Sequence, residues 1–207
     1  MRRTIMAGLV LVASISAANA ESVFESAGEL YGVDPTLLRS ISMTESSVYP
    51  WTLNFGGNAF YLPDREAMVR TFKASRSRPW LVTVVYRDKR PSRRIFFKHG
   101  DDASAFGLRK RADRAVRSAK VVHIDIDNVD IGLMQVNWRW HGKEFSSIDQ
   151  MSQTHANVMY AAQMLRSQIK QYGLFRGVGY YHSRSSPRWR HYYRKVRRSY
   201  ASLTNGS

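Results

Sequence analysis

Asp34-Pro35-Thr36-Leu37-Leu38-Arg39-Ser40-Ile41-Ser42-Met43-Thr44-Glu45-Ser46 is the stretch that decides how the rest of the chain is read. Asp34 is an N-cap residue and Pro35 pre-sets the first turn, so a helix is expected to start here. Leu37, Leu38 and Ile41 fall on an apolar stripe, and the next position on that stripe, four residues beyond Ile41, is Glu45. The only acid in the helix body therefore points toward the core. A carboxylate placed there must find a cation or water, or be pushed toward its neutral form by desolvation. Helical spacing alone leaves both outcomes open. A carboxylic acid kept neutral near pH 7 can donate a proton, which is what cleavage of a glycosidic bond asks of its general acid.

Before this helix, residues 22–31 carry Phe24, Ala27, Leu30 and Tyr31 on one side and end at Gly32, predicting a short helix that forms a hairpin with the Glu45 helix. Residues 1–20 have the build of a secretory signal: Arg2 and Arg3, an apolar run from Ile5 to Ile15, then Ala18-Asn19-Ala20 as the cleavage site. The run is too short to span a bilayer, and no later segment reaches that length. Export to the periplasm is the expectation. Removing the signal leaves 30 basic and 16 acidic side chains, a formal charge of +14, over a length suited to one domain. Such a balance draws an exported protein to polyanions such as wall polymers, anionic lipid or DNA in transit, or is simply a solvated basic surface. The absence of cysteine excludes disulfides and thiolate metal sites.

Beyond Ser46, residues 49–61 interleave aromatics with turn residues, fitting a loop or small hairpin whose rings either stack on sugars or build a local core. Residues 65–120 then shift in composition, with 17 Lys and Arg against 5 acids. Trp80 to Tyr86 and Arg94 to Lys98 read as two strands about a charged turn. The flanks from Arg65 to Lys73 and from Ala105 to Lys120 read as helices. The block is a basic β-hairpin lobe inserted into a helical domain.

Asn128 to Asn137 is an apolar run carrying two amides, Gln135 and Asn137, with Gly132 permitting close approach. Asp125, Asp127 and Asp130 stand just before Gly132 and are candidates for a second acid by proximity, but three clustered acids read rather as a solvated turn or helix cap. A helix from Ser152 to Tyr172 is expected to stop at Gly173, followed by the clustered Tyr180-Tyr181-His182-Ser183. A last helix starts at Ser186-Pro187, with Trp189, Tyr193, Val196, Tyr200 and Leu203 inward and arginine outward. Trp189, Tyr192 and Tyr193 among those arginines could also contact nucleic acid.

Four segments, Glu45-Ser46, Gly132-Leu133-Met134-Gln135-Val136, Asn157-Val158-Met159-Tyr160-Ala161 and Tyr181-His182-Ser183, stand in the order of the motifs of one family. On these the chain resembles the soluble lytic transglycosylase domain, covering residues 23–61 and 130–196. Departures are Ala161 where glycine is usual, His182-Ser183 where many relatives have Asn and a following residue, and the long basic block. Tyr180 competes with Tyr181 for the family tyrosine. The resemblance implies an α+β, mainly α, lysozyme-like fold over residues 21–207, with the basic lobe as an insertion. It implies Glu45 as the single acid and base in cleaving the MurNAc-β-1,4-GlcNAc bond, with the muramyl carbon-6 hydroxyl as nucleophile and a 1,6-anhydro end as product. Ser46, Met134, Gln135, Asn157, Tyr180 and Tyr181 are the implied substrate-side residues, with Tyr181 placed to donate to Glu45. Neither a cofactor nor a metal is called for. The implied partners are peptidoglycan strands and an envelope-spanning conjugation, secretion or pilus machine, with nucleic acid not expected as the main ligand. The rival readings are a lysozyme that uses water and a basic periplasmic protein that binds glycan or DNA without cutting.

Overall fold

Asp34 accepts from the Thr36 N–H at 2.9 Å and Pro35 fills the first turn, so helix α2, Pro35–Ser46, begins where its cap and proline dictate. It follows a first helix, α1, over residues 22–31, from which Gly32 turns the chain. The computed structural model describes residues 22–88 and 90–205, and the expected export signal at 1–20 lies outside the described residues. At the end of α2 the chain takes two consecutive left-handed residues, Ser47 at φ 56° and Val48 at φ 59°. For β-branched Val48 this is a strained conformation, costing on the order of 1–3 kcal/mol, and it sits three residues from Glu45.

Strands β1, Thr52–Phe55, and β2, Asn58–Tyr61, form a hairpin across Gly56-Gly57, with Phe55 opposite Asn58. Two left-handed turn residues match the twist of the flanking strands. The local-core use of the aromatics wins here: Phe55 and Phe60 are buried, and Tyr49 packs edge-on against Trp51 and Tyr61.

Helix α3, Arg65–Ser77, leads into the basic block. Strands β3, Trp80–Tyr86, and β4, Arg93–Phe97, pair as expected. Helix α4, Gly100–Arg111, then stops short of the predicted end, and Val116–His123 is strand β5, paired antiparallel along the other edge of β3. The predicted helix to Lys120 is thus corrected. The alanines mimic a helical stripe, but Val116, Val121 and Val122 favour a pleated surface, and without β5 the open edge of β3 would lack partners. The lobe is a three-stranded sheet, ordered β4-β3-β5, with α4 closing a small core of Val82, Val84, Ala103, Val116 and Ala119. Its opposite side joins the main core, where Phe96 stacks on Phe60 with centroids 5.4 Å apart.

The chain returns to the first sheet as β6, Val129–Ile131, and β7, Val136–Asn137, giving the order β2-β1-β6-β7. Short helices α5, Trp138–His141, and α6, Ile148–Met151, precede α7, Thr154–His182. Helix α7 breaks at Gly173 (φ 75°, ψ 166°), where a stop was expected, but the chain resumes helix immediately. The glycine-tyrosine cluster is therefore helical through His182, with Ser183 as its C-cap. Gly179 is there because the last helix passes close: a Cβ would lie 2.8 Å from Trp189. That helix, α8, Arg188–Thr204, buries Tyr192 and Val196, a face turned one residue from the predicted Tyr193 stripe. It packs against α2 and α7, and the Tyr200 hydroxyl donates to Asp34 Oδ2 at 2.7 Å. The fold is mixed α+β and mainly helical.

Candidate active site

Glu45 lies in the last turn of α2 with its side chain only 15% exposed. Burial pushes its carboxyl up to about 7 from the ordinary 4.5; the Tyr192 phenol opposes that rise, the Asp130 charge adds to it, and Lys195 offsets it. The Tyr192 hydroxyl is buried and makes no hydrogen bond of full geometry, so its hold on Glu45 is that of a nearby dipole. His182 stacks flat on the Tyr192 ring, with centroids 4.8 Å apart, and brings Nδ1 to 3.8 Å from Glu45 Oε1. Burial, then Lys195 and Arg188, pull the His182 pKa below its usual 6.5. The imidazole is therefore neutral at pH 7, and the contact with Glu45 is not an ion pair.

The turn between β6 and β7, residues 132–135, is clasped to α2 and α7. Ser46 Oγ donates to the Leu133 carbonyl at 2.7 Å and Ser42 Oγ to the same oxygen at 3.2 Å. Asn157 accepts from the Met134 N–H at 2.9 Å and donates to the Ile131 and Met151 carbonyls at 3.0 and 3.3 Å. Tyr181 donates to the Met134 carbonyl at 2.7 Å. Gln135 holds φ 48° and spends its amide N–H groups on the Gly132 and Thr52 carbonyls at 2.8 and 3.3 Å. Gly132, at φ 80°, lies so close to Asn157 that a Cβ would come within 2.9 Å of it.

These bonds bring most of the sequence-predicted residues together and change their roles. Ser46, Met134 and Asn157 are buried, with the polar atoms of Ser46 and Asn157 committed to backbone rather than to a ligand. Tyr181 bonds Met134 and not Glu45. Gln135 lines the cleft, although its N–H groups are already used. Tyr180 is not in the cleft at all; it packs edge-on against Tyr172 and Trp189. Ser46, Gln135, Asn157 and Tyr181 therefore build a frame that fixes where Glu45 sits, and two of them, Gln135 and Tyr181, also line the cleft.

Two adjoining hollows share Glu45, His182 and Arg188 as walls. The sheet-side lobe, about 670 Å³, runs over Gln135 and Asn137 to Gly56, with Asp130, Trp140 and His141 along it. The α8-side lobe, about 540 Å³, adds Thr44, His191, Arg194 and Lys195. Trp140 is 67% exposed, an aromatic face open to a ligand in the cleft. Asp130 accepts from Asn137 Nδ2 at 2.8 Å and Asn54 Nδ2 at 3.4 Å, and burial raises its pKa. Asp125 and Asp127 do form the expected turn, paired with Arg139 and Arg76. Asp130 does not belong to it: it is a strand residue facing the cleft.

Asp130, Tyr192 and Trp140 were thus missed from sequence as site residues. Alternation in Val129-Asp130-Ile131 puts the acid on the face opposite the core, and stepping four residues back from Val196 selects Tyr192. Trp140 carried no such signal. No family model, curated protein or solved structure matches the chain, so what the site can do is read from its geometry and its chemistry.

Proposed function

We propose that the protein is a lytic transglycosylase of lysozyme-like architecture, cutting the MurNAc-β-1,4-GlcNAc bond of peptidoglycan with Glu45 as acid and base. The observation that carries this reading is a desolvated carboxyl, raised to about 7, on the wall of a two-lobed cleft. At neutral pH a large share of such a group holds its proton. Glu45 gives that proton to the bridging oxygen as the C1–O bond breaks, and the GlcNAc hydroxyl leaves. The resulting carboxylate takes the proton of the carbon-6 hydroxyl as that oxygen bonds to C1, closing the 1,6-anhydro ring. Protons balance and no water is consumed, so one enzymic carboxyl completes the cycle. The exposed Trp140 face and the amides along the sheet-side lobe suit a chain of sugar rings. The basic charge, the predicted export and the gap such cutting opens suit a periplasmic enzyme serving an envelope-spanning machine.

One observation favours a second reading, hydrolysis to a reducing end. Asp130 shares the cleft with Glu45 and interacts with it electrostatically, supplying the second carboxylate that activation of a water would use. Binding of glycan or DNA without cutting is the remaining reading, and it leaves Glu45 dispensable. Mass spectrometry of the soluble products from purified peptidoglycan, with native protein and with Glu45→Gln, separates the three. Anhydro ends that vanish in the variant are expected. Products heavier by one water mean hydrolysis, and products of equal yield from both proteins refute Glu45 as the acid.

A further inference from the structure

The α8-side lobe differs in character from the sheet-side lobe. Arg188, Arg194 and Lys195 project into or around it as exposed cations, with His191 beside them. Glu45 is the one carboxyl on its wall, and among the described residues none of the three cations is in an ion pair. Some surface cations do find acids, such as Arg76 with Asp127 and Arg139 with Asp125, whereas these three converge without such a pairing on a single hollow. The positive field reaches the reacting centre, because Lys195 acts on both Glu45 and His182. The opening of about 540 Å³ is the size of a small-ligand pocket, which run from about 300 to 1,000 Å³.

We infer that this lobe is an anion subsite, and that Arg188, Arg194 and Lys195 receive the carboxylates of the peptide carried by the muramyl sugar at the point of cleavage. The inference rests on the cleavage reading above. Because Glu45 is part of the lobe's wall, an anion held there belongs to the molecule being cut and lies beside the scissile bond. A peptide stem meets that requirement: it branches from the glycan and ends in carboxylates. A nucleic-acid backbone fits less well, since an unbroken line of phosphates would run against Glu45 and a lobe of this size takes a short branch. Arginine also matches carboxylate geometry with paired N–H donors. The sheet-side lobe takes the sugar chain, so the charge asymmetry sets which side of the strand faces α8.

The test compares peptide-bearing glycan strands with strands stripped of peptide by an amidase. The proteins are the native one, the double variant Arg194→Gln/Lys195→Gln, and the charge-matched control Arg190→Gln/Arg198→Gln on the same helix but outside the lobe. Native protein and control are expected to prefer peptide-bearing strands in kcat/KM by about tenfold or more, a preference that collapses toward one in the double variant. Equal use of both strands by native protein overturns the inference, as does a preference that survives in the double variant. Competition by a short DNA duplex, abolished in the double variant, with no preference for peptide, also overturns it and assigns the lobe to phosphate. If native protein cuts neither strand, the cleavage reading fails by itself. Binding of a soluble disaccharide-peptide to the Glu45→Gln protein then decides the subsite: about tenfold weaker binding on adding Arg194→Gln/Lys195→Gln supports it, and unchanged affinity overturns it.

Discussion

Replacing Glu45 with Gln is expected to abolish cleavage and, above neutral pH, to make the protein more stable. The Glu45 side chain is only 15% exposed, and burial moves its carboxyl from 4.5 to about 7. At 1.36 kcal/mol per tenfold change in acidity, that displacement corresponds to about 3 kcal/mol. Between pH 4.5 and about 7 the folded protein keeps a proton on Glu45 that the unfolded chain has released. The folded state binds more protons there, so stability falls as pH rises through this window, and the full penalty is present above it. Glutamine mimics the neutral acid in shape and never ionises. The difference in unfolding free energy between Glu45→Gln and native protein should therefore be near zero at pH 4.5 and grow to about 3 kcal/mol in favour of the variant at pH 8. Urea melts at several pH values measure it, with shifts common to all other groups cancelling in the difference. On the cleavage reading the same substitution lowers turnover by about 10²–10⁴-fold, the contribution of a general acid. A stability difference that stays flat with pH, or a variant less stable at pH 8, would refute the argument that desolvation tunes this carboxyl.

Three further outcomes follow from the same geometry. Tyr192→Phe removes the phenol that holds the Glu45 pKa down, so the alkaline limb of the kcat/KM profile should move to higher pH; because that hydroxyl has no full hydrogen bond to lose, stability should change little. A limb that moves down or stays in place refutes the role given to Tyr192. Asn157→Ala strips three buried bonds from the turn between β6 and β7 and should cost about 2–4 kcal/mol in a urea melt; an increase in KM with unchanged stability would restore Asn157 to substrate binding. Asp130→Asn removes a charge that raises the Glu45 pKa, so the alkaline limb should move to lower pH while anhydro products persist; loss of all products would move Asp130 into the chemistry and favour hydrolysis.

What the sequence discloses about this molecule divides by the range of the interaction. Local chemistry was legible: Asp34-Pro35 starts α2, Gly56-Gly57 turns the first hairpin, and the β-branched run from Val82 to Val85 sits within the predicted strand β3. Failures occurred where a distant partner decides. The alanines before Val116 read as helix until the bare edge of β3 is taken into account, and Gly173 reads as a stop because nothing local says that the chain will resume its helix at once. The site divides in the same way. Ser46, Gln135, Asn157 and Tyr181 could be picked out because their types and order form a pattern, yet their roles could not, since a side-chain amide or hydroxyl serves a backbone carbonyl as readily as a ligand. The property that makes Glu45 chemically useful is written in none of those residues singly. It arises when α8 lays Tyr192 over the end of α2, Asp130 arrives on β6 from eighty-five residues away, and the turn at residues 132–135, strained at Gln135, is bolted under Ser46. Val48 and Gln135, both held at positive φ, flank the contact between that turn and the end of α2. The four motifs are therefore best understood as the bolts of a frame, and the acid as a consequence of the desolvation that the frame enforces.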